Sequence, residues 1–230
     1  MRVIAIVPAA GEGSRFGGPV KKQFTSLNGL PIVSHTLRAL AASDAIARMI
    51  VVVPPGEESA GRDALRAASV DIDTEVVIGG QERQDSVYNG LQRAKPDTDL
   101  VLIHDGVRPF VSRDLILACI EAARESGAAV AAVPVTDTIK RVAADGFIVE
   151  TPERGELWAA QTPQVFRHSL LMRAHRAARD QRVIATDDAV LVERIGAKVR
   201  VVRGSVENLK ITNEDDLILA EWVVRRRMPR

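Results

Sequence analysis

Short apolar runs alternate with longer stretches of helical period along almost the whole chain, and that alternation restricts the fold more than any single residue does. The runs lie at 3–7, 50–53, 75–78, 100–103, 129–133 and 199–202. They are mostly continuous in apolar character, so both faces of each strand need cover, as in a mostly parallel sheet between two layers of helices. Helical spacing recurs at 32–42, 57–68, 83–95, 113–126, 169–180 and 187–195. A last helix is expected over 213–226, opened by Thr212 with Asp215 three positions on, a capping-box spacing. Strands and helices in this order predict an α/β, doubly wound fold. The 230 residues suffice for one full-sized core and a small appendage.

One region departs from the rhythm. Between Asp137 and Trp158, two short β-like pieces at 139–142 and 147–151 flank Asp145-Gly146, a hairpin signal. Segment 137–158 is therefore expected to project as a β-arm from a main domain formed by 1–136 and 159–230. A two-stranded ribbon is marginal alone, so the arm needs a surface to rest on, either a second subunit or its own domain.

Composition narrows the function. Lys and Arg number 31 against 30 Asp and Glu, for a formal net charge of +1, and aromatics make up 3%. A dedicated nucleic-acid binder would carry a basic excess or aromatic stacking platforms, so nucleic acid is not an expected partner. The first apolar run is too short for a bilayer and ends in glycines, and no signal-peptide pattern precedes it, which predicts a cytoplasmic protein without membrane association. Cys119 is the only cysteine, within the apolar stretch 115–123, so neither an internal disulfide nor a zinc–cysteine cluster is possible.

Chemistry concentrates directly after the first strand, in Pro8-Ala9-Ala10-Gly11-Glu12-Gly13-Ser14-Arg15-Phe16-Gly17. Small residues let backbone approach a ligand and turn its N–H groups toward phosphate oxygens, and the carboxyl end of a parallel strand is where open α/β sheets bind ligands. The spacing matches neither the dinucleotide fingerprint, whose third glycine position holds Phe16, nor a P-loop, since no glycine–lysine–Ser/Thr follows. Arg15, Lys21 and Lys22 bring positive charge to this loop with no run of acids beside them. Asp105 stands just past the strand at 100–103, where a carboxylate reaches a ribose or a metal. His104 reads as a packed or hydrogen-bonded strand-end residue. Arg225-Arg226-Arg227 needs no role beyond a solvated helix end that favours cations.

The loop together with Lys22-Gln23-Phe24 resembles the signature of the 2-C-methyl-D-erythritol 4-phosphate cytidylyltransferase family of the non-mevalonate isoprenoid pathway. The resemblance continues through Gly79-Gly80-Gln81-Glu82-Arg83-Gln84-Asp85-Ser86-Val87, His104-Asp105-Gly106-Val107-Arg108-Pro109 and Asp137-Thr138-Ile139-Lys140-Arg141. It then takes in Leu157-Trp158-Ala159-Ala160-Gln161-Thr162-Pro163-Gln164, Thr186-Asp187-Asp188-Ala189 and Asn208-Leu209-Lys210-Ile211-Thr212. It thus covers nearly the whole chain. The sequence departs from the family pattern where Lys21 takes a common proline's place, where Gln81 replaces an occasional acid, and where Gly106-Val107 replaces a pair of alanines.

The resemblance implies a Rossmann-like nucleotidyltransferase fold of the glycosyltransferase-A-like type and an enzyme that joins CTP to 2-C-methyl-D-erythritol 4-phosphate with release of pyrophosphate. The nucleophile is already an anionic phosphate oxygen, so no general base is required and catalysis rests on positioning and cations. Arg15, Lys22 and Lys210 are the implied catalytic cations. Ala9, Ala10, Gly11, Gly13, Gly80, Gln81, Arg83, Ser86, Asp105 and Gly106 are the implied CTP contacts, with Ser86 also open to a helix-capping role. Thr138, Arg141, Arg154, Thr162 and Thr186 are the implied acceptor-positioning residues, Arg154 gripping the acceptor phosphate with its forked guanidinium. Mg²⁺ is expected, bound mainly through the CTP phosphates, with Asp105 as the candidate protein ligand. A homodimer is expected in which the 137–158 arm completes the partner's site. Two other readings stay open on the residues alone: a ribitol 5-phosphate cytidylyltransferase, and a non-catalytic nucleotide-binding regulatory module, which would have no use for Lys22 and Lys210 together.

Overall fold

The computed structural model describes residues 1–11, 16 and 20–227. A seven-stranded sheet forms its centre. In chain order the first elements are strand β1 (Val3–Pro8), the small hairpin β2 (Ser26–Leu27) and β3 (Leu30–Pro31), and helix α1 (Ile32–Ala41). β4 (Arg48–Val53), α2 (Glu58–Ala68), β5 (Thr74–Ile78), α3 (Arg83–Leu91), β6 (Leu100–Ile103), α4 (Arg113–Ser126) and β7 (Ala128–Pro134) follow. The second half contains β8 (Arg141–Val142), β9 (Ile148–Glu150), β10 (Trp158–Arg167), α5 (His168–Asp180), α6 (Asp188–Arg194), β11 (Arg200–Arg203) and α7 (Glu214–Arg227).

The strand order is β11-β7-β10-β6-β1-β4-β5. β1 pairs parallel with β4 and β6, whereas β10 runs antiparallel to β6 and β7. The sheet is therefore mixed, though mostly parallel, and β10 is the one main strand that the apolar runs did not announce. Its sequence, Trp-Ala-Ala-Gln-Thr-Pro-Gln-Val-Phe-Arg, is polar in the middle and carries Pro163, which lacks the N–H a central strand donates. The ladder absorbs the proline by shifting register between Ala160 and Gln164.

Burial on both faces follows from the pleat. Val3, Ala5 and Val7 enter one core beneath α1, α2 and α4, and Ile4 and Ile6 enter a second beneath α3, α5 and α6. A third, smaller cluster seats α7, through Ala220 and Val223, on Leu27, Ile32, Phe110 and Ile211. The cap of α7 differs from the expected Thr212–Asp215 pairing. The Asp216 backbone N–H donates to Asn213 Oδ1 at 2.8 Å, and Asp216 Oδ2 accepts from the Asn213 backbone N–H at 3.1 Å and from the Thr212 hydroxyl at 2.5 Å. The box is one residue later because Asn213 fills the cap position. α3 ends at Leu91, four residues before the expected 95, where the chain turns toward Pro96. The β2–β3 link is a two-residue turn in which Asn28 and Gly29 both adopt positive φ, 49° and 86°, the geometry that Asn-Gly favours.

Residues 137–158 form the β8–β9 hairpin and the strands' flanks. Gly146 takes φ 88°, and the Phe147 backbone N–H donates to Asp145 Oδ1, so Asp145-Gly146 closes the turn. The hairpin exposes Val142, Phe147, Ile148 and Val149, with Phe147 74% accessible. No helix among the described residues is long and apolar enough to cross a membrane. Cys119 is buried in α4, and burial pushes its thiol up to about 12, so it is no nucleophile.

Candidate active site

The chain leaves β1 toward β4 on one side and later returns to place β6 on the other, so the carboxyl ends of β1 and its two neighbours form the switch-point crevice of an open sheet. A cleft of about 180 Å³ lies there. Its walls are Pro8–Gly11 after β1, Gly80–Arg83 and Ser86 at the start of α3, Asp105 and Val107 after β6, Lys22 and Gln23, and Lys210. Close backbone approach builds the wall beside β5. A Cβ on Gly79 would lie 2.6 Å from the Ala10 Cβ, and one on Gly80 would lie 2.3 Å from the Asp85 Cβ, so neither position tolerates a side chain. Ser86 does not cap α3, which Glu82 and Asp85 open. Its Oγ accepts from the Gly80 backbone N–H at 3.2 Å and donates to the Glu82 carbonyl, pinning the glycine turn at the edge of the cleft.

A second, more polar chamber continues from the first. It is lined by Arg108, Gln161, Thr162, Gln164, Thr186 and Asp187, and it shares Arg83, Asp105 and Lys210 with its neighbour. The junction is a carboxylate among three cations. Lys210 Nζ lies 2.9 Å from Asp105 Oδ2, Arg83 Nε 3.4 Å from Oδ1, and Arg108 Nε 3.6 Å from Oδ2. Burial alone would raise the Asp105 carboxyl, but Arg83, Lys210 and Arg108 outweigh it and hold it well below the usual carboxylate range.

The turn carrying Asp105 is fixed by a directional chain of hydrogen bonds. His104 Nε2 lies 3.0 Å from the Arg108 carbonyl, which only accepts, so Nε2 bears the proton and the neutral ring's Nδ1 is the acceptor. Thr162 Oγ1 donates to that Nδ1 at 3.0 Å and accepts from the Asp105 backbone N–H at 3.0 Å. Thr162 thus sits between strand and turn, which accounts for a polar residue in the middle of β10. On the same strand, the Asn208 amide donates to the Thr162 carbonyl at 2.7 Å, and the Gln161 amide donates to the Ser205 carbonyl at 2.9 Å. These bonds, with the Ile211 backbone N–H donating to Val107, dock the segment that delivers Lys210.

His104 is fully buried, and burial lowers its imidazole to about 4 despite the Arg108 carbonyl and Asp105, which favour the charged form. An unfolded histidine titrates at about 6.5, so between about pH 6.5 and 4 the unfolded chain binds the extra proton and stability falls as pH falls. The loss over that window is expected to reach about 3 kcal/mol. Urea unfolding at pH 7 and at pH 5 should show it, and His104→Gln should flatten that slope. A wild-type midpoint unchanged between the two pH values would refute the neutral assignment.

Arg83 carries the site one layer deeper. Its Nη1 donates to Asp188 Oδ2 at 2.7 Å, and His175 Nε2 lies 3.0 Å from Asp188 Oδ1, with Asp188 1% and His175 0% accessible. Gln164 donates to Asp187 Oδ2 and accepts from the Ala189 backbone N–H, which ties β10 to the start of α6.

Of the residues named from the sequence, Ala9, Ala10, Gly11, Lys22, Gly80, Gln81, Arg83, Ser86, Asp105 and Lys210 line the first chamber, and Thr162 and Thr186 the second. Gly106 lies just behind the wall: its N–H donates to Pro8 and its carbonyl accepts from Thr36, while Asp105 and Val107 face the cleft. Gly13 and Arg15 lie outside the described residues. Thr138, Arg141 and Arg154 line neither chamber of their own chain. Arg141 pairs with Glu150 at 2.7 Å, and Arg154 donates to the Thr136 carbonyl at 2.9 Å. Arg108, Gln164 and the Asp188–His175 pair were not singled out. For Arg108, Gln164 and Asp188 the signal was present, since all three stand in motifs already noted, His104–Pro109, Leu157–Gln164 and Thr186–Ala189. Nothing in the sequence around His175 marks it.

The profile of the IspD family, 2-C-methyl-D-erythritol 4-phosphate cytidylyltransferase, matches residues 3–226. A 2-C-methyl-D-erythritol 4-phosphate cytidylyltransferase from Pelotomaculum thermopropionicum is 49% identical over 230 residues, covering 100% of this chain and 97% of the relative. Among solved structures, the 4-diphosphocytidyl-2C-methyl-D-erythritol synthase of Anaerococcus prevotii superposes with a TM-score of 0.86 at 32% identity, covering 98% of this chain and 99% of the other. The 2-C-methyl-D-erythritol 4-phosphate cytidylyltransferase of Thermus thermophilus does so at 0.81 and 36%, covering 98% and 100%.

Proposed function

The chain belongs to the 2-C-methyl-D-erythritol 4-phosphate cytidylyltransferase family, and from that membership we propose how its two joined chambers transfer a cytidylyl group from CTP to 2-C-methyl-D-erythritol 4-phosphate in isoprenoid precursor synthesis. The observation that carries the assignment of roles is the meeting of the chambers at Lys210 and Asp105. The first chamber, walled by small residues and backbone, takes CTP. The second, lined by hydroxyl, amide and guanidinium groups, takes a phosphorylated polyol.

An acceptor phosphate oxygen forms a bond to the α-phosphorus while the bond from that phosphorus to the β-bridging oxygen breaks, and the electron pair leaves with pyrophosphate. Two anions must approach while charge spreads over the α-phosphoryl oxygens, so fixed cations lower the barrier. Lys22 enters from the nucleotide side and Lys210 from the junction. Arg15, which follows β1 in the sequence, is the third cation of this set. Asp105 holds Lys210 at 2.9 Å, which places the ammonium at the junction, where phosphate can replace the carboxylate as its partner. Ala9, Ala10, Gly80 and Ser86 present fixed donors and acceptors to the cytosine edge.

Mg²⁺ fits this site as an ion carried by the nucleotide. Among the described residues no cluster of three His, Cys, Asp or Glu side chains stands ready to hold it, and Asp105 is the carboxylate that would contribute. When bound it would neutralise triphosphate charge.

Dimerisation through the arm is the second part of the proposal. Phe147, Ile148 and Val142 are 74%, 60% and 53% accessible, an apolar surface at the tip of a ribbon that is weak alone. Arg154, at the base of the arm and outside its own chain's chambers, then grips the acceptor phosphate of the partner's site with Thr138 and Arg141 beside it. Arg154→Ala should lower kcat/KM for the acceptor by about 10²-fold, as for loss of one charged donor, and leave the dissociation constant of CTP within about twofold. Equal losses for both substrates would contradict this role. The single cysteine, buried and unpaired, suits a reducing cytoplasm.

The reaction itself is tested by incubating the protein with CTP, Mg²⁺ and 2-C-methyl-D-erythritol 4-phosphate and identifying the product by mass spectrometry. Formation of 4-diphosphocytidyl-2-C-methyl-D-erythritol with stoichiometric pyrophosphate is expected. Turnover only with ribitol 5-phosphate, or CTP binding without product, would overturn it.

A further inference from the structure

Gln23 stands beside Lys22 in the short 3₁₀ turn 22–24, held by backbone bonds from Phe24 to Lys21 and from Thr25 to Lys22, at 2.9 and 3.1 Å. It is 2% accessible and lines the first chamber. Its Nε2 is buried and donates to nothing among the described residues. The other buried glutamines are different. Gln84 donates to the Val183 carbonyl and accepts from the Ala185 backbone N–H. Gln164 donates to Asp187 and accepts from the Ala189 backbone N–H. Gln161 donates to the Ser205 carbonyl and accepts from the Asn208 amide.

Leaving a buried donor unpaired is costly, and native proteins do it rarely. Among the described residues the one buried glutamine with an unpaired donor borders the substrate cleft and adjoins a lysine that serves phosphate. We infer that Gln23 is a further substrate-binding residue whose amide N–H donates to an oxygen of the CTP triphosphate. The inference rests on the reading of the first chamber as the CTP site. The amide is the acceptor-seeking neighbour of the Lys22 charge: the lysine supplies field, the amide supplies direction. The cytosine side of the chamber, at Gly80 and Ser86, is served by groups that are already paired with each other.

The test uses Gln23→Met, which keeps the volume and removes the orphaned amide, together with Gln23→Glu, which keeps the shape and replaces the donor by an anion. Wild type and both variants are compared for ligand-free Tm, calorimetric affinity for CTP and for cytidine, and kcat. Gln23→Met should keep or raise the ligand-free Tm, because it discards an unsatisfied buried group, and should bind CTP about 10-fold more weakly with cytidine affinity unchanged. Gln23→Glu should weaken CTP binding by about 100-fold or more. CTP affinity of Gln23→Met equal to wild type, an equal loss for cytidine, or a Tm lowered by several degrees would each overturn the inference, the last by making Gln23 structural. Wild-type protein that fails to bind CTP would instead remove the reading of the chamber, and the inference with it.

Discussion

Lys22→Ala is expected to slow turnover by about 10²–10³-fold, the scale for losing one preorganised positive donor where charge develops. Lys22 borders the nucleotide chamber at the start of a turn whose backbone bonds fix its position. Its charge is felt at the head of α7. Burial would raise the Asp216 carboxyl, but hydrogen bonds from Thr212 and Asn213, and then Lys22, hold it below the usual carboxylate range. Lys22 thus borders the cleft and lies close enough to the head of α7 to act on the Asp216 carboxylate. Lys210 is different, since its ammonium is paired with the buried Asp105 at 2.9 Å. If Lys22 acts at the α-phosphate, the loss falls on kcat more than on CTP affinity, and single-turnover rates with saturating CTP should carry it. A collapse of CTP binding with unchanged turnover of bound substrate would make Lys22 a binding residue only.

Asp188→Ala is expected to lower Tm by about 6–12 °C. Removing one partner from a buried charged cluster costs about 3–5 kcal/mol, and the lower end applies because the Arg83 side chain is 28% accessible and gains some solvent. Each kcal/mol shifts Tm by about 2–4 °C in a chain of this size. The damage is specific: His175, fully buried, loses the acceptor of its Nε2–H, and Arg83 loses the shorter of its two carboxylate contacts. Asp187→Ala, which removes an N-cap acceptor 3.0 Å from the Val190 N–H together with the partner of Gln164, is the milder control at about 1–2 kcal/mol. Acid should erase the difference. Burial would raise the Asp188 carboxyl, but Arg83 and His175 outweigh it and depress it. Its stabilisation is therefore present above the unfolded value of about 4 and is lost as pH falls below that value. Scanning calorimetry at pH 7 and in buffers below about pH 4 would read both effects, and a pH 7 shift under about 2 °C would show that the cluster is dispensable.

Local signals carried a large part of this molecule. The strands at 3–7, 50–53 and 100–103 were visible because burial on both faces demands continuous apolar side chains, while the edge strand at 75–78 kept a short apolar run though only partly covered. Asp145-Gly146 announced its turn because the required positive φ is a property of the residues themselves. Of the small-residue stretch after β1, the described residues Ala9, Ala10 and Gly11 line the cleft together with Lys22. Tertiary structure alone decided what β10 does. Gln161, Thr162 and Gln164 look like loop residues because their side chains serve the turn after β6, the segment bearing Lys210 and the start of α6, and no periodicity records a polar group buried against a distant partner. The convergence of Arg83, Arg108 and Lys210 on Asp105 belongs to the same category, since Arg83 and Lys210 come from segments far from Asp105 in the sequence and only Arg108 is a near neighbour. A sequence states what each segment prefers locally; which charges end up sharing one carboxylate depends on the order in which the strands are laid into the sheet.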